Sequence, residues 1–172
     1  MTTEELKLLI EKIKSQIQIL TIQLQIALLK SKLTVPNLDA PTKIILHHGA
    51  GYLDFNGVNQ YHKGLWGFKS SLGYYIGYTY FLERSGKIYQ GRRDNEEGAH
   101  TKGQNKKSIG ICLMGNGAEK DFTVEQYNSL VDLVKRKREE YGIVRSQVLP
   151  HSAFSATECP SEYLRNWILK LT

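Results

Sequence analysis

Apolar residues along this 172-residue chain follow two different patterns, and the change between them divides the sequence. Residues 1–34 repeat apolar side chains in steps of three and four and contain no glycine, proline or aromatic residue, which predicts one long amphipathic helix. Two prolines within residues 35–41 predict a linker. Residues 42–172 alternate short apolar runs with helical patterns, and we expect them to form a separate domain.

The predicted N-terminal helix carries two apolar stripes. The first is spaced like a coiled-coil seam and consists of Leu6, Ile10, Ile13, Ile17, Leu20, Leu24 and Ala27. The second lies on another face and consists of Ile19, Ile22, Ile26, Leu29 and Leu33. Two stripes favour packing on two sides, against the rest of the chain or through self-association with a second copy. The flanking lysines are Lys12, Lys14, Lys30 and Lys32. A basic amphipathic helix also fits an anionic membrane surface, so both kinds of partner stay open.

Within residues 42–172, each predicted element has a short sequence signature. Runs typical of strands are KIILHH, YYIGYTYFLE, KIYQGR, KSIGICLMG and VRSQVLPHS, with the turn RSGK between the second and the third. Helical patterns occur at NGVNQYHKGLWG, at residues 123–141 and at SEYLRNWILKL. Strands interleaved with helices predict the α/β fold class, with one central β-sheet.

The charge of the chain narrows the range of partners. The formal net charge is +6 and the pI is near 9.2, which favours nucleic acid, anionic lipid or an anionic cell-wall polymer. The basic cluster Lys135–Arg138 falls in the last turns of the predicted helix 123–141, where the helix dipole stabilises cations. We interpret this cluster as a solvated helix end and predict no nucleic-acid partner.

Neither the N-terminus nor the cysteines indicate a secreted chain. The start MTTEELKLLI lacks the basic region, apolar core and cleavage site of a signal peptide, so we expect synthesis in the cytoplasm without export by the general secretory route. The uncharged run Ser15–Leu29 contains four glutamines and is too short for a spanning helix. Two cysteines make no disulfide framework, and Cys112 lies in an apolar run typical of a buried thiol.

Histidines and a cysteine indicate a metal site. The stretch PHSAFSATECP places Cys159 eight residues after His151, which alone is a weak signal. Further support comes from KIILHHGAG, where an apolar strand ends in His47 and His48, because strand ends deliver side chains to sites. One of these histidines would complete a His–His–Cys set of zinc ligands, with the fourth coordination position open to water.

An open site of this kind would carry hydrolytic chemistry. Two neutral imidazoles and one thiolate offset only one of the two zinc charges, so a coordinated water can lose its proton near neutral pH. Such a site hydrolyses amides or esters. A fourth protein ligand, for which His62 and His100 are available, would instead close the site into a structural one. The spacing leaves both alternatives open.

These residues belong to a series of stretches that resembles the zinc-dependent N-acetylmuramoyl-L-alanine amidases, the family of amidase-type phage endolysins and animal peptidoglycan recognition proteins. The matching stretches are IILHHGAG, YHKGLWGFKSSLGYYIGYTYFLERSGKIYQGR, GAHTKGQNKKSIGICLMGN, FTVEQYNSLVDLV and PHSAFSATECPS. They run from about Thr42 to Trp167, so only the first 40 residues lie outside the resemblance. The resemblance implies a mixed central β-sheet flanked by helices, with Zn²⁺ bound by His47, His151 and Cys159. His48 would not be a direct ligand.

The resemblance also assigns residues around the metal. Tyr78 matches a tyrosine that faces the zinc and would donate to the oxyanion, the alternative being a core aromatic residue. Thr157 matches a position near the zinc where relatives carry lysine or threonine, and its hydroxyl is too weakly basic to deprotonate water. His62, His100 and Asn105 match positions lining the muramyl-peptide groove, or else they are polar residues of surface helix and loop.

The function that the resemblance implies is a peptidoglycan hydrolase. It would cleave the amide between N-acetylmuramic acid and the L-alanine of the stem peptide, and Arg92 or Arg93 would meet a peptide carboxylate or else be solvated. A small, basic, signal-less chain looks most like a phage endolysin, made in the cytoplasm of a bacterial host and acting at the cell wall. The alternatives are a recognition module that binds muramyl peptides without cleaving them and a cytoplasmic amidase that recycles wall fragments.

Overall fold

The chain forms two compact units, Met1–Leu38 and Asp39–Thr172. The computed structural model describes residues 1–32, 40–117 and 121–171. The second unit is an α/β domain with a five-stranded mixed sheet between helices, which confirms the predicted fold class. Most of the predicted linker, residues 35–41, lies outside the described residues.

The first unit is a single helix, α1 (Thr3–Lys32), as predicted. Its first turn is capped by Thr2, whose hydroxyl accepts from the Glu5 N–H while the Thr2 N–H donates to the Glu5 carboxylate. Within its described residues the unit has no second element, so the described stripe residues Leu6–Leu24, like Ile19, Ile22 and Ile26, are exposed there. Leu33, the last residue of the second stripe, lies outside the described part of the chain. Across the residues described, no helix combines the length and the apolar character needed to cross a membrane.

The second unit contains every strand and helix that the sequence predicts for residues 42–172. Its elements are β1 (Lys43–His48), α2 (Phe55–Leu65), β2 (Tyr80–Leu82), β3 (Ile88–Gln90), β4 (Ser108–Leu113), α3 (Val124–Tyr141), β5 (Val148–Pro150) and α4 (Glu162–Leu171). The strand order is β3-β2-β4-β1-β5. All neighbouring pairs are parallel except β2 and β3, which form an antiparallel hairpin at one edge.

Strand β2 is shorter than the apolar run YYIGYTYFLE suggested. Side chains, rather than a neighbouring strand, bind the backbone just before it. The side-chain oxygen Oδ1 of Asn59 accepts from the Tyr75 and Ile76 N–H groups, and Nδ1 of His62 accepts from the Gly77 N–H. Because the N–H groups of residues 75–77 already have these side-chain partners, the segment before β2 is a loop. Pairing with β4 begins at Thr79, whose N–H donates to the Gly110 carbonyl.

Successive residues of each strand point to opposite faces of the sheet, which separates a large core from a small one. The large core lies between the sheet and helices α3 and α4; it includes Ile44, Leu46, Ile109, Ile111, Leu113, Leu130, Leu133, Leu164, Trp167 and Ile168. The small core lies under α2 and consists of Phe55, Val58, Ile76, Phe81 and Cys112. Cys112 is fully buried, in line with its apolar run. His47 alternates with Leu46 and therefore faces the α2 side, where the candidate site lies.

Helix α3 begins at a capping box formed by Thr123 and Gln126 and ends at Gly142, whose φ of 65° is the left-handed conformation that glycine adopts readily. One residue of its basic cluster is not solvated as the sequence suggested. Lys137 lies 2.6 Å from a carboxylate oxygen of Asp94, and both side chains are largely buried. Asp94 is 43 residues away in sequence, which is why the pattern of the helix alone missed this ion pair.

Candidate metal site

Three side chains predicted as metal ligands converge at one edge of the sheet. His47 lies near the carboxyl end of β1, and His151 directly follows β5, the parallel neighbour of β1. Because parallel strands end at the same edge, the fold brings these two imidazoles together. Cys159 reaches the same place from the loop before α4. One potential ligand atom from each of the three lies within 4.8 Å of the others. Neither His62 nor His100 belongs to this group.

The spacing and the chemistry of these atoms fit zinc. Nδ1 of His47 lies 3.7 Å from Sγ of Cys159. Two ligands of a tetrahedral zinc, at bond lengths of about 2.05 and 2.3 Å, would be about 3.5 Å apart. Burial, with the neighbouring histidines, holds the pKa of His47 well below its usual range, so its ring is neutral and offers a lone pair. Burial also raises the pKa of the Cys159 thiol to about 11, against the effect of the His48 N–H. A thiolate here therefore needs a cation beside it.

His48 lies outside the group of ligand atoms, as the resemblance implied. Its backbone N–H donates to Sγ of Cys159 at 3.4 Å, and its Nδ1 accepts from the Ser161 N–H at 3.3 Å. Both contacts tie the cysteine loop to the end of β1. His48 thus supports the position of Cys159, and its Nδ1 already has the Ser161 N–H as a partner.

His100 lies behind His47. Its Nδ1 is 3.1 Å from Nε2 of His47, and the Thr101 hydroxyl is within 3.3 Å of the same His47 nitrogen. The side-chain oxygen Oδ1 of Asn105 accepts from the backbone N–H groups of His100 and Thr101, which fixes the loop. Burial, with the neighbouring His151, lowers the pKa of His100 to about 3. The ring of His100 is therefore a neutral neighbour of His47.

A cavity of about 320 Å³ adjoins the site. Its walls are Gly49, Ala50, Gly51, Leu53, Val58, Tyr61, His62 and Tyr78. The ring centroid of Tyr78 is 5.2 Å from that of His47 and 5.6 Å from that of His62. Burial, together with Cys112 and Cys159, raises the pKa of Tyr78 well above its usual value, so its phenol keeps a proton to donate. Of the three predicted groove residues, only His62 lines this cavity, whereas Asn105 lines a separate one beside Lys43.

Helix α2 places His62 at the cavity. Asp54 caps the helix by accepting from the Gly57 N–H, and the buried face of α2 is formed by Phe55, Val58 and His62, spaced three and four residues apart. Nδ1 of His62 accepts from the Gly77 N–H at 2.9 Å, which leaves Nε2 to carry the ring proton. Burial, with a smaller effect of Arg92, lowers the pKa of His62 to about 4. His62 is thus a neutral histidine, and it is buried rather than a surface residue.

A comparison with protein families matches residues 37–162 to the N-acetylmuramoyl-L-alanine amidases. The chain belongs to this family. The resemblance inferred from the sequence motifs is therefore confirmed, although the metal ligands and the residues around them stay predictions.

Relatives and solved structures agree with this assignment. The endolysin of Enterobacteria phage K11 is 30% identical over 98 residues, which cover 54% of this chain and 64% of the endolysin. Peptidoglycan-recognition protein SC2 of Drosophila melanogaster is 30% identical over 135 residues, covering 72% of this chain and 70% of that protein. The structure of the N-acetylmuramoyl-L-alanine amidase LysC from Clostridium intestinale URNW superimposes with a TM-score of 0.66 at 30% identity, over 76% of this chain and 85% of that one. The chain spans less than two thirds of the length of the phage endolysin.

The sequence also predicts roles for Thr157 and Arg92, and both have contacts of their own in the folded domain. Thr157 is partly buried, and its hydroxyl accepts from the Cys159 N–H at 3.2 Å, so it helps to hold the cysteine loop. Arg92 is fully buried, and its guanidinium donates to the backbone carbonyls of Phe68, Ile76 and Glu97. The prediction that Arg92 meets a substrate carboxylate or is solvated is therefore wrong, because these carbonyls occupy it.

Sequence reasoning missed Thr101 and Ser108, which lie beside His100. The Ser108 hydroxyl is 3.3 Å from Nε2 of His100 and donates to the Gln104 carbonyl at 2.7 Å. A signal was available for Ser108. It lies four residues before Cys112 on β4, so strand alternation places it on the same face of the sheet as His47.

Proposed function

We propose that this chain is a peptidoglycan hydrolase that cleaves the amide bond between N-acetylmuramic acid and the L-alanine of the stem peptide. The observation that supports this best is the convergence of His47, His151 and Cys159 beside a cavity lined by Tyr78. Membership of the N-acetylmuramoyl-L-alanine amidase family indicates the bond. Zinc is the proposed cofactor, because two imidazoles and one thiolate suit this ion. When bound, it would lower the pKa of a coordinated water and polarise the scissile carbonyl.

The side chains around the cavity have separate roles in this proposal. The Tyr78 phenol donates to the carbonyl oxygen of the amide as negative charge develops there. Nε2–H of His62 donates to a carbonyl of the bound muramyl peptide, since Nδ1 is already used by Gly77. Thr157 offers a hydroxyl proton but no positive charge, so charge stabilisation depends more on Tyr78 and the metal than it would with a lysine at this position.

The test is mass analysis of the soluble products released from purified sacculi. We expect free stem peptides that begin with L-alanine and no new reducing sugar ends. New reducing ends would indicate a glycosidase, which uses paired carboxylates, and would overturn the proposal. Two weaker alternatives have their own outcomes. Binding to sacculi without release of peptide would indicate a recognition module, and cleavage of soluble muramyl peptides alone would indicate a recycling amidase.

For the biological setting, we propose a phage endolysin that is made in the cytoplasm of a bacterial host and acts on the cell wall. The similarity to the endolysin of Enterobacteria phage K11 supports this setting, and the net charge of +6 suits an anionic wall. A bacterial host expressing the chain should lyse only after its membrane is permeabilised. Lysis without permeabilisation would show that the chain reaches the wall by itself.

We also propose that α1 attaches the protein to a second copy of itself or to an anionic membrane. At about 100° per residue, its two stripes point about 170° apart. A helix lying in a membrane interface buries only one face, so the other stripe would still need a protein partner. A second copy covers the seam Leu6–Ala27 without a membrane, which makes self-association the simpler of the two arrangements.

A further inference from the structure

The two ring nitrogens of His47 have different neighbours. Nδ1 faces Sγ of Cys159, whereas Nε2 faces Nδ1 of His100 at 3.1 Å and the Thr101 hydroxyl at 3.3 Å. Nδ1 is therefore the His47 nitrogen that lies beside another proposed metal ligand, Cys159. For Nδ1 to offer a lone pair from a neutral ring, the ring proton must sit on Nε2.

The groups beyond His47 favour this arrangement of protons. The backbone carbonyl of Gln104 can only accept, so the Ser108 hydroxyl, whose Oγ lies 2.7 Å from the carbonyl oxygen, donates its single proton there. Ser108 is then an acceptor for Nε2–H of His100, at 3.3 Å. With its proton on Nε2, neutral His100 has a bare Nδ1, which accepts from His47.

Thr101 does not change this outcome. Its hydroxyl lies 3.1 Å from Nδ1 of His100 and 3.3 Å from Nε2 of His47. It can accept from His47 while it donates to His100, and in that case both rings keep the same protonated nitrogens. The direct route and the route through Thr101 therefore lead to the same tautomer of His47.

Close packing also fixes the ring of His100. A methyl group added at Gly110 would lie 2.5 Å from Cδ2 of His100, and one added at Gly98 would lie 2.6 Å from the same atom. These two glycines therefore leave just enough room for the imidazole. Asn105 holds the backbone of the same loop through two hydrogen bonds. The fold itself therefore holds the acceptor for His47 in position.

We propose that the chain His47–His100–Ser108–Gln104 is a positioning relay that locks His47 in the tautomer whose Nδ1 binds the metal. This inference rests on the proposed zinc site but adds a role for His100 and Ser108 that does not involve contact with substrate or metal. Partners that orient a ligating histidine typically change metal affinity by roughly 10- to 100-fold when they are removed.

The first test measures zinc affinity in the full chain by competition with a chelator of known affinity. His100→Phe keeps a ring in the space but removes the acceptor, and we expect zinc binding to weaken by roughly 10- to 100-fold. Ser108→Ala should also weaken zinc binding, but by less than His100→Phe does. Ser70→Ala is the matched control. Ser70 is also a buried serine, but its hydroxyl accepts from the Tyr74 N–H and is not part of the chain of contacts behind His47. Unchanged affinity in a folded His100→Phe protein would overturn the relay.

The second test needs no variant and no activity. In ¹⁵N NMR spectra of the zinc-free wild-type chain, His47 should be neutral and protonated on Nε2. A proton on Nδ1, or rapid exchange between both tautomers, would refute the relay even if His100→Phe fails to fold. If the wild-type chain binds no zinc but shows the expected tautomer, the proposed zinc function fails while the relay itself stands.

Discussion

Nδ1 of His47 lies 3.7 Å from Sγ of Cys159, although 112 residues of sequence separate them. Strand β1 supplies the histidine, and the loop before α4 supplies the cysteine. The two atoms are already close to the separation expected of two ligands on one zinc ion. The fold therefore sets these two atoms at a distance that suits one shared metal ion.

Because this geometry suits zinc, we expect hydrolysis to depend on the metal. We expect a chelator to abolish the hydrolysis of sacculi and added zinc to restore it. His47→Ala, His151→Ala and Cys159→Ala should each remove zinc binding and activity while the far-UV circular dichroism stays close to that of the wild type. Full activity of a protein shown by elemental analysis to contain no metal would contradict the mechanism.

The phenol of Tyr78 should matter for turnover rather than for folding. Tyr78→Phe keeps the ring beside His47 but removes the donor to the oxyanion, so we expect kcat to fall by roughly 10- to 1,000-fold with little change in KM or zinc content. Tyr75→Phe is a suitable control, since Tyr75 lies near Tyr78 in sequence but does not line the cavity. A wild-type rate for Tyr78→Phe would mean that this ring serves packing only.

His62 should make the stability of the fold depend on pH. Burial, with a smaller effect of Arg92, lowers its pKa to about 4 in the folded chain, compared with about 6.5 in the unfolded chain. Between these two values the unfolded chain binds the proton more readily, so the stabilising effect is complete above pH 6.5 and is lost as the pH falls toward 4. We expect the equilibrium constant for folding to fall by at most about tenfold for each unit by which the pH decreases. In zinc-free denaturation experiments, the free energy of unfolding of His62→Gln should decrease less over this pH range than that of the wild-type chain. An identical decrease in both proteins would exclude His62 as a cause.

The buried ion pair of α3 should contribute to stability far from the candidate site. Asp94 accepts from Lys137 and from the hydroxyls of Tyr80 and Tyr141. Lys137→Ala leaves a largely buried carboxylate without its cation, and we expect a loss of about 3 kcal/mol in the free energy of unfolding. Lys135→Ala, on the exposed side of the same helix, should change it by less than about 0.5 kcal/mol. Equal effects of both substitutions in urea titrations would show that the pair is not stabilising.

Local sequence patterns predicted the elements of the fold well, because apolar periodicity directly reflects which face of each strand or helix is buried. The motifs also identified three side chains that the fold brings together, His47, His151 and Cys159. They could not place His100 behind His47, because that contact joins two segments that are 53 residues apart in sequence. They also missed the partner of Lys137, since only the tertiary structure brings Asp94 to α3. In both cases the decisive neighbour is distant in sequence.

Helix α1 gives the last prediction, because its two apolar stripes have no partner among the described residues of their own unit. Burying one large aliphatic side chain is worth about 1.5–3 kcal/mol, so a stripe of several such residues favours association strongly. We expect a shortened chain that begins at Thr34 to hydrolyse purified sacculi as fast as the full chain but, when each chain is added from outside, to lyse intact cells more slowly.

Two variants of the full chain separate the possible partners of α1. Ile13→Asp with Ile17→Asp interrupts the first stripe and should abolish self-association in analytical ultracentrifugation, if a second copy is the partner. Replacing Lys12, Lys14, Lys30 and Lys32 by glutamine leaves the stripes intact and should instead reduce binding to anionic vesicles, if a membrane is the partner. If neither variant changes association, vesicle binding or lysis of cells, α1 is not an attachment element. If the shortened chain loses activity on bare sacculi, α1 is needed for the folding of the catalytic domain.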